Sequence, residues 1–344
     1  MKLLIDPIML PGQPQHGGFK HAFNRYYTGT ASSSSTNISL ILLHCLVTHK
    51  ESWEPVLERL FDLQLASTCK GRVTEAWSMD CPSHGEAAAH NETLLLSRSQ
   101  GVNAYDWAHG LRELLASGLV KNTTVVGVGH SGGATALLLS TLGLSPAQLP
   151  FSSFIFVEPA LMTEFTMQQS LTGNSTRRAT FEYLLRACKT RTDVWPSRES
   201  ALQWLATHDP WKRWDNRILR SYLRYGLREL PTAAYPDQKE GVTLACTREQ
   251  EAMCYTCLQD GVDSLERLAF VCAAIPVHCI FGDRIDFVPE DIRKATVDES
   301  TGRKMASITT IPGAGHLIAQ EKPDEVADAM WTILGSSPRR ESRL

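Results

Sequence analysis

The sequence of 344 residues predicts an α/β fold: a mostly parallel, doubly wound sheet with helices on both faces, interrupted by a helical insertion. Three observations carry this. Short continuous apolar runs recur, as in strands buried on both faces. Amphipathic helical patterns alternate with them, which places parallel strands next to each other with helices between. The alternation stops between about Leu161 and Glu266 and then resumes, so the interruption lies between two core strands and covers the sheet.

Residues 1–36 form an N-terminal segment ending in the polar connector Ala31-Ser32-Ser33-Ser34-Ser35-Thr36, and the regular pattern starts at Ile38. Ile38–Leu43, Val73–Met79 and Thr124–Gly129 read as strands. A helix over Ala104–Leu115 sets Trp107, Leu111, Leu114 and Leu115 on one face, and Ala134–Leu142 reads as another. Phe154–Val157, Val277–Phe281 and Ser307–Ile311 complete the strands. The last helix starts at Pro323, a residue suited to the first helical position, and sets Val326, Met330, Ile333 and Leu334 on one face. The expected organisation is a core of 37–160 and 266–335, a helical cap of 161–265 and a tail of 336–344. The cap is rich in Trp and Arg: Trp195, Trp204, Trp211 and Trp214, then Arg217, Arg220, Arg224 and Arg228.

Composition narrows the function. A chain of this length buries a core large enough to need no metal or disulfide staple. With 34 basic against 37 acidic residues, nucleic acid is not expected as a partner. No apolar run approaches the ~18 residues of a membrane span, and the start, Met1-Lys2-Leu3-Leu4-Ile5-Asp6-Pro7, does not read as a secretory signal. Nine scattered cysteines are then read as reduced. Cys254-Tyr255-Thr256-Cys257 has no second Cys/His pair at metal-site spacing and no redox setting, so no metal or other cofactor is expected.

The chemistry concentrates at three places. Gly129-His130-Ser131-Gly132-Gly133 follows a strand and opens a helix, the context of a nucleophile elbow. Ser131 is held in a sharp turn at a helix N-terminus, where backbone N–H groups favour developing negative charge. Gly315-His316 follows the last strand, and His316 is the candidate base, because a hydroxyl needs its proton removed near neutral pH. The backbone N–H groups of Leu46, after the first core strand, and of Gly132 are the candidate oxyanion donors. His44 reads as a residue tying that loop to its neighbours, and Asp80–Gly85 as a loop former at the rim. The triad acid has more than one candidate. Glu158 ends an apolar strand at the catalytic edge, where an unpaired carboxylate is costly, and is preferred. Asp286 comes next and Asp283 after it, since Ile285 fills the slot where a G-x-x-D-x-x-x-P pattern would hold the acid. The competing reading of Glu158 is an ion pair with a cap arginine.

These motifs resemble the α/β-hydrolase superfamily over nearly the whole chain. The segments His44–Trp53, Trp195–Ala201, Trp214–Arg217, Tyr225–Arg228 and Val242–Cys246 are similar to a fungal group of peroxisomal hydrolases of secondary metabolism. That group contains the AK-toxin biosynthesis hydrolases and an acyl-CoA hydrolase of mycophenolic acid biosynthesis. The resemblance implies a serine hydrolase of acyl esters or thioesters, possible CoA linkage of the substrate, and an acid at the position of Glu158. Two departures stand out: Cys45 replaces a small residue, and Glu158 stands where that relative has Asp. The ending Ser342-Arg343-Leu344 resembles a peroxisomal address read by an import receptor. Epoxide hydrolysis, which in this fold resembles chemistry with an Asp nucleophile, and a non-catalytic binding role are the competing functions.

Overall fold

The structure, a computed structural model, describes residues 3–28, 37–67, 72–122, 124–173 and 175–336. The strands are β1 Leu4–Leu10, β2 His21–Tyr27, β3 Asn37–Leu43, β4 Arg72–Met79, β5 Thr124–His130, β6 Ser153–Val157, β7 Val194–Trp195, β8 Leu227–Glu229, β9 Val242–Leu244, β10 Val277–Gly282 and β11 Ser307–Ile311. Eight form one sheet in the order β1-β2-β4-β3-β5-β6-β10-β11. From β4 to β11 the neighbours run parallel, and β1 and β2 form an antiparallel edge. The strands expected from the sequence are all present, within one residue at each end.

The apolar runs are explained by two separate cores. Ile41 and Leu43 enter the cluster on one face of the sheet, and Leu40 and Leu42 the cluster on the other. Each such side chain contributes about 1.5–3 kcal/mol when fully buried, so a strand with no polar face requires helices on both sides. The chain leaves β3 first to one side, to β4, and then to the other, to β5. A crevice opens at such a reversal, beyond the carboxyl ends of the strands.

Three expectations need correction. Residues 1–36 do not all lie outside the core, because β1 and β2 belong to the main sheet. Pro7 and Asp6 break the apolar pattern of β1, and an outermost strand, paired on one side only, tolerates a proline that a central strand would not. The insertion is not wholly helical, since β7, β9 and β8 form a small antiparallel sheet within it. These strands are two or three residues long, too short to show a period. The expected break at 265/266 falls inside one continuous helix, Leu258–Ala274, whose Leu265, Leu268 and Val271 pack in the main core.

The helices of the insertion are defined by their caps more than by apolar stripes. Thr163, Ser175, Ser197, Asp215 and Thr247 each accept a backbone N–H from the first turn that follows, a contact worth about 1 kcal/mol. Trp195, Trp211, Trp214 and Tyr222 form a third cluster, which takes in Cys45 from the loop after β3 and Leu317 from the loop after β11. Arg217 pairs with Asp215 and Asp324, and Arg228 with Glu92, so part of the arginine run is spent holding the insertion to the core. Among the described residues no helix is long and apolar enough to cross a membrane. The tripeptide Ser342-Arg343-Leu344 lies outside the described residues.

Candidate active site

Ser131 leaves β5 with φ 53° and is followed directly by helix Gly132–Leu139. A left-handed backbone at a residue with a side chain costs about 1–3 kcal/mol and persists only where the surroundings enforce it. Here they do. A Cβ on Gly129 would lie 2.6 Å from Ala134 Cα, and one on Gly133 would lie 2.4 Å from the Leu43 carbonyl oxygen. Strand, turn and helix are therefore pressed together, and the Ser131 N–H is tied to the Val157 carbonyl at 3.1 Å.

His316 lies on the loop after β11. Its Nε2 is 3.0 Å from Ser131 Oγ, and its Nδ1 is 3.4 Å from Glu158 Oε2. The second distance is longer than an ordinary N–H···O bond, as such contacts often are before substrate closes a site. Glu158 is fully buried and also holds a left-handed φ, of 46°. Its two oxygens have different partners. Oε1 accepts the Gly282 N–H and an Arg293 Nη2–H, each at 2.7 Å, which leaves Oε2 for His316. These charge-assisted bonds offset the cost of burying the carboxylate. Glu158 thus has both partners weighed from the sequence, a histidine and an arginine, but the arginine comes from helix Glu290–Thr296 of the core and not from the cap.

The other candidate carboxylates serve the backbone. Asp286 Oδ1 accepts the His316 backbone N–H at 2.8 Å, and Asp283 Oδ1 accepts the Gly313 N–H at 2.8 Å. The imidazole's hydrogen bonds go to Ser131 and Glu158 and not to either of these. Partial burial pushes the Asp286 carboxyl up, but the N–H groups of His316 and Phe287, with the Arg284 guanidinium, bring it below its ordinary range. Gly315 makes this approach possible: a Cβ there would stand 1.8 Å from Asp286 Oδ2.

His130, the middle residue of the elbow, supplies a further hold. Its Nε2 donates to the His316 carbonyl at 2.8 Å. Burial, with His316 nearby, lowers its pKa to about 3, so it stays neutral. A histidine between Gly129 and Ser131 gives no such signal in sequence, because its partner is 186 residues away. Arg293 is hidden for the same reason.

A cleft of about 670 Å³, counting its open mouth, has Ser131, Gly132 and Leu46 on its wall. The Leu46 side chain lies against Gly132 on this wall. His44 joins the loops after β3 and β4: it donates from Nδ1 to the Cys45 carbonyl at 2.7 Å and accepts the Cys81 N–H at 3.0 Å. Ser83 bridges to His84, whose Nε2 donates to the Leu46 carbonyl. The Asp80–Gly85 loop therefore braces the Leu46 segment. The rest of the cleft is mainly apolar or sulfur-lined, with Val102, Trp107, Met162, Cys81, Cys254 and Cys257, and carries the polar Asn103, Thr135, Tyr255 and Asp260. Among the described residues every cysteine is free, and Cys254 and Cys257 are unpaired.

Residues 40–329 match the model of the alpha/beta hydrolase family. Among characterised proteins, the chain is 27% identical over 207 residues to a type I acyl-CoA thioesterase, mpaH, of Penicillium brevicompactum, and 27% identical over 204 residues to the mpaH thioesterase of Penicillium roqueforti. Each match covers 58% of this chain and 42% of the relative, so the chain matches less than half the length of those proteins. Among solved structures, it is similar to the peroxisomal alpha-beta-hydrolase Lpx1 of Saccharomyces cerevisiae, with a TM-score of 0.72 at 18% identity over 100% of this chain and 92% of that one. It is also similar to the thioesterase domain from the curacin biosynthetic pathway, with a TM-score of 0.62 at 14% identity over 97% and 100% of the two chains. The sheet order, the elbow at the end of β5 and the family match agree: this chain belongs to the alpha/beta hydrolase family.

Proposed function

We propose that the chain is a serine hydrolase of acyl esters or thioesters, with Ser131 as nucleophile, His316 as base and Glu158 as acid. The observation that carries this reading is the run of contacts from Ser131 Oγ through the His316 ring to Glu158 Oε2 at the edge of one cleft. Ser131 Oγ attacks the acyl carbon as His316 Nε2 takes its proton. The carbonyl oxygen becomes an oxyanion facing the N–H groups of Leu46 and Gly132, and Glu158 stabilises the imidazolium. The intermediate collapses to an acyl-serine and expels the thiolate or alkoxide, which takes the proton from His316. Water, deprotonated by the same nitrogen, then releases the acid and restores Ser131.

The thioester form of the reading, with a CoA-linked acyl group, is supported by the activity of the mpaH relatives. Two comparisons test it. A fluorophosphonate probe should label the wild type and not Ser131→Ala; equal labelling of both would refute the nucleophile. Acyl-CoA should be cleaved faster than the p-nitrophenyl ester of the same acid, and the reverse order would make the enzyme an esterase. Delivery to the peroxisome is proposed from Ser342-Arg343-Leu344, in keeping with the location of the yeast structural neighbour. A fluorescent fusion lacking these residues should be diffuse, and a punctate pattern would refute that address.

A further inference from the structure

The cleft beside Ser131 has one carboxylate on its wall. Asp260 stands in the first turn of helix Leu258–Ala274 and is 8% exposed. It shares the cleft wall with Val102, Ala160, Met162 and Leu258 and with the polar Asn103. One oxygen, Oδ2, accepts the Ala104 N–H at 2.6 Å. The other, Oδ1, takes no hydrogen bond that the geometry shows and is not sealed from solvent, so it is open to the water of the cleft. A carboxylate oxygen in a mainly apolar cleft has to be met by water or by a donor on the ligand, and leaving it unmet is costly. Sites with such a group discriminate strongly between ligands that do and do not supply the missing hydrogen bond, far more than apolar walls discriminate by size.

We propose that Asp260 is a specificity-determining residue of the cleft: its free oxygen accepts a hydrogen bond from a hydroxyl or amine on the acyl chain and turns away chains that end in a carboxylate. The proposal rests on the reading of Ser131 as the nucleophile, because that places the acyl chain in this cleft. The group is surrounded by further acids. Asp106 and Asp263 both act on it; Asp106 is paired with Arg98, and the Tyr105 hydroxyl donates to Asp263. Cys257 lies nearby, with its thiol pushed up to about 12 by burial and by Asp260 itself. Burial first, then Asp263 and Asp106, raise the Asp260 carboxyl to about 6 against the pull of the Ala104 N–H. Above that pH the group is an anion that only accepts; below it, the carboxyl is neutral and a chain ending in carboxylate meets less repulsion.

The test uses the full chain and p-nitrophenyl esters of straight-chain acids in a length series, each made plain, with a terminal hydroxyl and with a terminal carboxyl. At the length that reaches Asp260, the hydroxyl ester should have a kcat/KM about tenfold or more above the plain ester, carried by KM. The carboxyl ester should be the poorest at pH 8 and gain on the plain ester below pH 6. Asp260→Asn can keep the Ala104 bond while presenting an amide in place of the free oxygen, so the hydroxyl, left with a weaker neutral bond, should lose most of its preference, and the carboxyl ester should be accepted. No hydroxyl preference at any length, or one that survives Asp260→Asn largely intact, overturns the proposal. Calorimetry on Ser131→Ala with the matching plain and hydroxylated amides needs no turnover. Discrimination there that disappears in the Ser131→Ala, Asp260→Asn double variant supports Asp260 even if the esters are not cleaved, while its absence counts against Asp260 alone.

Discussion

Lys50 and Arg293 are both buried cations, one on either side of Ser131 in the sheet order, and they hold their loops differently. Lys50, with no side-chain exposure, sits among Glu51 at 2.7 Å, Glu86 at 2.9 Å and Asp80 at 3.3 Å. Burial alone would push its charge off, but Asp80 and Glu51 outweigh this and hold its pKa above the ordinary range. It is a point charge inside a ring of carboxylates from the segments after β3 and β4. Arg293 spends its fork on one carboxylate and two carbonyls: Glu158 Oε1 and the Gly282 carbonyl at 2.7 Å, and the Arg284 carbonyl at 3.3 Å. A planar fork fixes directions as well as charge. On the Lys50 side the result is a charge cluster that joins the segments after β3 and β4; on the Arg293 side it is an oxygen left for His316.

If that contrast is right, the largest losses lie along the aimed side. Ser131→Ala and His316→Ala should each lower kcat on the order of 10⁶-fold, and the double variant should lose no more, since the two act as a unit. Thermal melts should stay near wild type. Additive losses would separate the two residues. Glu158→Gln should cost up to ~10⁴-fold in kcat by removing the charge that stabilises the imidazolium. A mild effect there, with Asp286→Asn inactive, would move the acid to Asp286.

The two cations can then be set against each other. Arg293→Lys keeps a charge but loses the fork, so kcat should fall while the protein stays folded. Lys50→Met leaves three carboxylates without their cation, and breaking a buried charge cluster in this way costs about 3–5 kcal/mol. Its signature is a lower denaturation midpoint, with near-normal kcat in the fraction that remains folded. If Arg293→Lys had full activity, or Lys50→Met an unchanged midpoint, the distinction between aiming and balancing charge would fail.

The same contrast explains what the sequence makes legible. Ser131 and His316 are readable because each sits in a local pattern tied to a strand end, and the apolar runs of β3, β6 and β10 reveal their two-sided burial within a few residues. Glu158 stands out as a charge ending such a run. The groups that steer them leave no local trace. His130 and Arg293 act on partners far along the chain, and Lys50 reads as one charge among the polar residues of a loop. Asp260 looks like any acid in the first turn of a helix, where acids are favoured anyway. The edge strands β1 and β2 and the small sheet of the insertion are lost for another reason: a proline, mixed polarity or a length of two or three residues erases the period.

The smallest effect belongs to Asp286, which holds the His316 backbone and not its ring. Asp286→Asn exchanges a charge-assisted hydrogen bond for a neutral one at the same place. A typical net hydrogen bond is worth about 0.5–1.5 kcal/mol, so kcat/KM should fall only about 2- to 10-fold. The pH dependence separates this role from that of a triad acid. The Asp286 carboxyl lies below its ordinary value of 3.8, because the His316 and Phe287 N–H groups and Arg284 outweigh its burial. Between the folded and unfolded values the unfolded chain binds the extra proton, so the stabilisation is fully present above about pH 4 and fades as the pH falls through the folded value. Melting curves of wild type and Asp286→Asn should therefore differ at pH 7 and draw together below pH 4. A gap that widened on acidification would mean that the carboxyl is held protonated in the fold, and Asp286 would then be a donor to the loop instead of its anchor.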